Sequence, residues 1–190
     1  MAIRVESVHF GGLKVLAIDF FEDDRGFFME VYRSDYFQAL GLPSTFLQDN
    51  HSCSKKSVLR GLHFQWDPPL GKLVRITSGT AFVGIADIRK GSPTLGQWFG
   101  MEISAESRKE IWVPPGFANG FCALSDFVEV QYKGTVLYNN RAEGGIRWND
   151  PDIGIAWPIT EPILSPKDAS AKTLKEWIAS PQSDYFTYSR

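Results

Sequence analysis

The stretch KLVRITSGTAFVGIADI, residues 72–88, reads as two β-rich runs of hairpin length separated by a tight turn at Ser78-Gly79. Outward from it, strand signals recur at 45–52, 58–65, 98–103, 110–113, 120–123, 127–138 and 145–148. Helical signals are few and peripheral. Ser34 can cap SDYFQAL, and Ser170 can cap a turn or two running through Lys172, Leu174, Trp177 and Ile178. Many short strands, frequent turns and helices kept to the ends predict an antiparallel sandwich or barrel such as a jelly roll, not alternating βαβ units. Neither a GxGxxG nor a GxxxxGK[ST] phosphate loop occurs, which disfavours a Rossmann dehydrogenase or a P-loop kinase.

The composition agrees. With 190 residues, 43% hydrophobic and 22% charged, the chain has the make-up of one globular domain, and no repeat or linker marks a boundary. Its 14 Phe, 6 Tyr and 6 Trp, with 17 Gly and 11 Pro, suit strands joined by turns. A net charge of -2 leaves no bulk positive field for nucleic acid or an anionic membrane, so basic chemistry must be local. Cys53 and Cys122 are too few for a disulfide framework and read as reduced thiols. The N-terminus lacks the apolar core of a signal peptide, and no segment approaches the roughly 18 apolar residues of a membrane span, so a cytoplasmic location is expected.

Three histidines are present. The segment LRGLHFQ, residues 59–65, carries His63 alone, without the paired histidines by which jelly rolls often hold a metal, and no catalytic metal is expected. His9 lies between Val8 and Phe10 and reads as a packed or exposed side chain, while His51 after QDN reads as a polar support. His63 has Arg60, Gln65 and Lys72 close in sequence, and the Arg and Lys are costly to bury unless they face a ligand or partner charges. Strict strand alternation sends Arg60 and His63 to opposite faces; a bulge or bend near Gly61 would reunite them. In FVEVQYKGTVLY, residues 127–138, alternation puts Tyr132 with Val128 and Val130. A tyrosine there either packs, or faces a histidine across the lumen as half of an acid and base pair. Arg25 and Glu30 flank two phenylalanines in DDRGFFMEVYR, either as a surface turn with an ion pair or as a device for gripping phosphate and stacking a base.

Together DDRGFFMEVY, TFLQDNHSCSKKSVLRGLHFQ, GKLVR, DIRKGSPTLGQW, IWVPPGFANGFCALSD, YKGTVLY, WNDPDIGIAWP and LSPKDA, in this order, resemble the dTDP-4-dehydrorhamnose 3,5-epimerases over residues 3–186. The resemblance implies a cupin-type jelly roll, a homodimer exchanging N-terminal strands, and inversion of C3 and C5 in a dTDP-linked 4-keto-6-deoxyhexose without metal or organic cofactor. It implies His63 as base, Asp168 as the carboxylate behind it, Lys72 at the enolate oxygen and Tyr132 as acid. Arg25, Glu30, Gln48, Asp49, Asn50 and Arg60 match positions that bind nucleotide and diphosphate; Tyr138, Glu143 and Lys167 match outer binding positions. One departure stands out: related sequences commonly read FAHGF where this chain reads FANGF, so Asn119 occupies the place of a substrate-binding histidine. The alternatives are an epimerase acting at C3 or C5 alone, and a sugar-nucleotide-binding jelly roll without chemistry.

Overall fold

A computed structural model describes residues 2–188. In it the two runs at 72–88 are strands that do not pair with each other. The chain passes in order through β1 (Ile3–His9), β2 (Leu13–Ile18), β3 (Phe20–Asp23), β4 (Gly26–Met29), α1 (Ser34–Ala39), β5 (Gln48–Lys55), β6 (Leu59–Gln65), β7 (Lys72–Ser78) and β8 (Thr80–Asp87). It continues through β9 (Trp98–Ser104), β10 (Lys109–Val113), β11 (Phe117–Ala123), β12 (Phe127–Gly134), β13 (Glu143–Gly145), α2 (Pro166–Ala169) and α3 (Leu174–Ala179). One sheet has the order β1-β2-β10-β7-β12-β5 and the other β13-β6-β11-β8-β9. Their strands pair antiparallel, and the two faces close on one core as a cupin-like jelly roll.

The reading of 72–88 as a hairpin is therefore corrected: β7 lies between β10 and β12, β8 lies between β11 and β9, and the turn carries the chain from one sheet to the other. Gly79 permits the crossing. Its φ is +75°, and a Cβ there would come within 2.2 Å of the Phe127 carbonyl oxygen.

Alternation decides what faces inward. Val74 and Ile76 of β7, Val83 and Ile85 of β8, and Val128 and Val130 of β12 fill the space between the sheets. The opposite residues are covered as well: α1 brings Phe37 over Leu16, Leu73 and Trp112 outside the larger sheet, and α3 brings Trp177 over Leu62, Phe64 and Ala118 outside the smaller one. Strands buried on both faces have few polar positions, so the polar side chains that do point inward stand out.

Other expectations need adjustment. β1 and β2 lie outside the expected set, although β1 alternates buried and exposed residues as a half-buried strand should. Arg33, not Ser34, is the N-cap of α1, and no side chain caps that end. The C-terminal helix begins at Leu174 under a capping box of Thr173 and Glu176; Ser170 ends the preceding helix, α2. The strand expected over 127–138 stops at Gly134, leaving Tyr138 in a loop, and that expected over 145–148 is Glu143–Gly145. Among the described residues no helix is long and apolar enough to cross a membrane.

Candidate active site

Four inward polar side chains meet in the lumen. Lys72 precedes Val74 on β7, Tyr132 follows Val130 on β12, His63 alternates with outward Leu62 and Phe64 on β6, and Asn119 alternates with outward Ala118 on β11. With Asn50 and Arg60 they line a cavity of about 230 Å³.

Arg60 reaches that cavity through the irregularity at Gly61. Asn119 pairs with His63 and Phe121 with Arg60, so Gly61 and Leu62 together oppose Gly120 alone, a β-bulge that brings both side chains to one face. Gly61 has φ +125°, and a Cβ would lie 2.6 Å from the Gly120 Cα, so no other residue fits without displacing backbone.

Behind His63 stands Asp168. Its Oδ1 is 2.5 Å from His63 Nε2, and its side chain is only 5% exposed. Burial works to raise its carboxyl, but the His63 hydrogen bond and charge and the Ser165 hydroxyl outweigh it, so Asp168 titrates below the usual range. An ionised carboxylate only accepts, which makes Nε2 the donor and leaves the lone pair on Nδ1. Ser165 holds Asp168 from both ends: its Oγ donates to Oδ2 at 2.9 Å and accepts from the Asp168 backbone N–H at 3.1 Å as the cap of α2. Ser165 was absent from the sequence-based set, although Ser-Pro-Lys-Asp is a legible N-cap followed by proline at the first helical position.

Lys72 is 9% exposed, and its Nζ donates to Asn119 Oδ1 at 2.9 Å. Burial lowers its pKa to about 8; Glu143 pulls upward and Lys167 pushes further down. The same ammonium lies 5.6 Å from the centre of the Tyr132 ring. Burial and the charge of Glu143 raise the Tyr132 hydroxyl above an ordinary phenol, so at neutral pH it holds its proton.

Gln48, Tyr138, Glu143 and Lys167 do not line the lumen cavity and are held by hydrogen bonds and an ion pair. Glu143 pairs with Lys167 and accepts from the Tyr138 hydroxyl at 2.7 Å, a bond that pushes Tyr138 up to about 12. Gln48 donates to Asn50 Oδ1 at 3.0 Å and accepts from the Tyr138 backbone at 2.8 Å; Arg60 donates to Ser54 Oγ at 2.9 Å. Glu143, Lys167 and Asp168 border a neighbouring cavity of about 460 Å³ beneath α2 and α3, and His63 lines both spaces.

Three expected binding residues lie elsewhere within the chain. Asp49 points to the outer face of β5, where it pairs with Lys133 at 2.9 Å, because alternation sends it opposite Gln48 and Asn50. Arg25 sits in the β3–β4 turn, 89% exposed and paired with Asp23 at 2.6 Å; Glu30 faces Arg33 at 3.8 Å. Neither lines the two cavities around His63. His51 pairs with Glu129 at 3.1 Å, and His9 packs against Phe99 with ring centres 4.0 Å apart. Among the described residues no group of three or more His, Cys, Asp or Glu is placed to hold a metal ion.

Comparison with known proteins points one way. Residues 7–176 match the family model described as dTDP-4-dehydrorhamnose 3,5-epimerase. The enzyme of that name from Salmonella typhimurium is 52% identical over 159 residues, covering 82% of this chain and 87% of the relative. That from Neisseria gonorrhoeae is 51% identical over 85% of this chain, which spans 49% of the Neisseria protein's length. Among solved structures, the dTDP-6-deoxy-D-glucose-3,5-epimerase of Legionella pneumophila, crystallised with dTDP-4-keto-L-rhamnose, superposes with a TM-score of 0.90 at 39% identity over 99% of both chains. The family model, the sequence identities and the shared fold show that this chain belongs to the dTDP-4-dehydrorhamnose 3,5-epimerase family.

Proposed function

We propose that the chain inverts C3 and C5 of a dTDP-linked 4-keto-6-deoxy sugar, converting dTDP-4-dehydro-6-deoxy-D-glucose to dTDP-4-dehydro-L-rhamnose for dTDP-L-rhamnose synthesis. One observation carries this reading: His63 backed by Asp168 stands on one sheet, Tyr132 stands on the facing sheet, and the Lys72 ammonium projects into the lumen they share. Inversion needs a base and an acid on opposite sides of the reacting carbon, and two opposed walls provide them.

In this mechanism Nδ1 of His63 takes the proton from the carbon beside the C4 carbonyl, and the C–H electron pair moves into an enolate. Lys72 meets the charge developing on the C4 oxygen, the interaction that is strengthened most in the transition state. Tyr132 returns a proton to the opposite face of the carbon, leaving a phenolate beside the Lys72 cation; solvent then resets Tyr132 and His63, and the second carbon follows. The chemistry runs on side chains alone. Gln48, Asn50 and Arg60, with Tyr138, Glu143 and Lys167, hold the nucleotide and diphosphate.

We read residues 1–190 as one catalytic domain acting in the cytoplasm and as half of a homodimer. In the dimer the β3–β4 ribbon of each protomer, with the residue that follows it, supplies Arg25 and Glu30 to its partner's cleft. Phe21 and Phe28, both 65% exposed on this ribbon, supply a reason for it to seek a partner surface.

The test is exchange in deuterated water with dTDP-4-keto-6-deoxy-D-glucose. Deuterium is expected at both C3 and C5. Label at C3 alone would make the chain a single-site epimerase, and nucleotide binding without label would leave a binding protein. His63→Ala is expected to slow exchange by about 10²–10⁴-fold while nucleotide binding persists.

A further inference from the structure

Lys72 has one hydrogen-bond acceptor among the described residues, Asn119 Oδ1 at 2.9 Å. The two come from opposite walls, Lys72 from β7 of the larger sheet and Asn119 from β11 of the smaller one. Asn119 is also the direct cross-strand neighbour of His63. An ammonium has only donors, so the amide must turn its oxygen toward Lys72, and its two N–H hydrogens then face away from it. A lysine stem has four rotatable bonds; an acceptor at its tip restricts where the charge sits.

We propose that Asn119 is a positioning residue, whose amide oxygen fixes the Lys72 ammonium at the height of His63 and so aims it at the developing enolate oxygen. This rests on the epimerase reading above, in which Lys72 meets that oxygen. Asparagine suits the task because it accepts at every pH. An imidazole in its place would accept in one tautomer and, once protonated, would set a second cation against the first.

Burial, Glu143 on β13 and Lys167 on α2 set the charge of Lys72, while His63 and Arg60 on β6, Tyr132 on β12 and His51 on β5 border the same cavity. Asn119, the hydrogen-bond partner of Lys72, can be exchanged for a carboxylate of the same size and reach. Asn119→Asp keeps the acceptor and adds an anion beside the ammonium, which stabilises its charged form. The alkaline limb of kcat is then expected to move up by about one pH unit or more. Asn119→Leu removes the acceptor, and kcat is expected to fall roughly 100-fold, the scale of a catalytic group misplaced by about 1 Å.

The experiment measures kcat and KM for C3 and C5 exchange across pH in wild type, both variants and Lys72→Met, with melting midpoints recorded for each. A limb that stays in place in Asn119→Asp overturns the proposal whether or not Asn119→Leu folds. A rise in KM alone in Asn119→Leu also overturns it, making Asn119 a plain substrate contact. Lys72→Met separates the two layers: exchange that survives it sinks the assignment of Lys72, whereas exchange lost in Lys72→Met and kept in Asn119→Leu sinks only the role of Asn119.

Discussion

Glu110 on β10 is 2% exposed, and its Oε2 has no hydrogen-bond partner. It borders a cavity of about 80 Å³ with Arg75, Gln131 and Lys133, on the outer side of the larger sheet and away from the lumen. Arg75 directs Nη2 and Nε at Gln131 Oε1, at 2.6 and 3.0 Å, and Lys133 pairs with Asp49. Burial therefore prevails over the attraction of both cations and lifts Glu110 to about 8 from a reference value of 4.5. The folded state then holds a proton that the unfolded chain has released, so the contribution of this group is full below pH 4.5 and is lost as pH rises toward 8. Glu110→Gln keeps the shape without the titration. It is expected to match wild type near pH 5 and to exceed it by on the order of 1–3 kcal/mol at pH 8, read from denaturant unfolding at the two pH values. A difference that is the same at both would mean Glu110 is ionised throughout. Asp168 has the opposite sign: its lowered pKa adds stability above the unfolded value, and this is lost as the solution is acidified through the folded value.

At the scale of elements, the β6 bulge sets the geometry of the site. Without it Arg60 would leave the face that carries His63. Gly61→Ala combines an unfavourable φ of +125° with a Cβ 2.6 Å from backbone, and is expected to cost about 1–3 kcal/mol. That lowers the melting midpoint by roughly 2–4 °C for each kcal/mol in a domain of this size, seen by calorimetry, with exchange activity falling in parallel. Wild-type melting and activity together would show that the bulge is not needed. The glycine was legible as a condition: alternation predicted a conflict between Arg60 and His63, and Gly61 was the residue able to resolve it. The pairing of β7 and β8 was not legible, because β propensity reports that a run is extended and says nothing of its neighbour. The choice of partners was made by β9, β10, β11 and β12, remote in sequence. The C-terminal helix start was legible but misplaced, since Thr173 and Glu176 carry the capping box three residues beyond Ser170.

For the whole molecule, the site draws on β5, β6, β7, β11, β12, β13 and α2, and 105 positions separate His63 from Asp168. No spacing rule connects such residues; only the resemblance of whole motifs named Asp168 beforehand. Arg25 and Glu30 were also named by the resemblance, yet within one chain they line neither cavity around His63: Arg25 sits in the turn, and Glu30 just past the end, of a two-stranded ribbon that joins neither large sheet. An isolated ribbon of this size is marginal in water. This one exposes Phe20, Phe21, Phe27 and Phe28 by 43 to 65%, with Arg108 lying 3.6 Å from the Phe27 ring centre as its cover from the main body. Sedimentation is therefore expected to give twice the chain mass, with Phe21→Ser/Phe28→Ser shifting the protein toward monomer. Complementation tests whether the ribbon serves its partner. In a mixture of Arg25→Ala and His63→Ala chains, each heterodimer has one lumen with an intact His63 facing the other chain's intact Arg25. If the ribbon acts across a two-fold interface, refolding equal amounts together should restore about a quarter of wild-type activity, because half the dimers are mixed and each mixed dimer has one good site of two. If it acts within its own chain, every site lacks one of the two residues and the mixture stays as inactive as its parts.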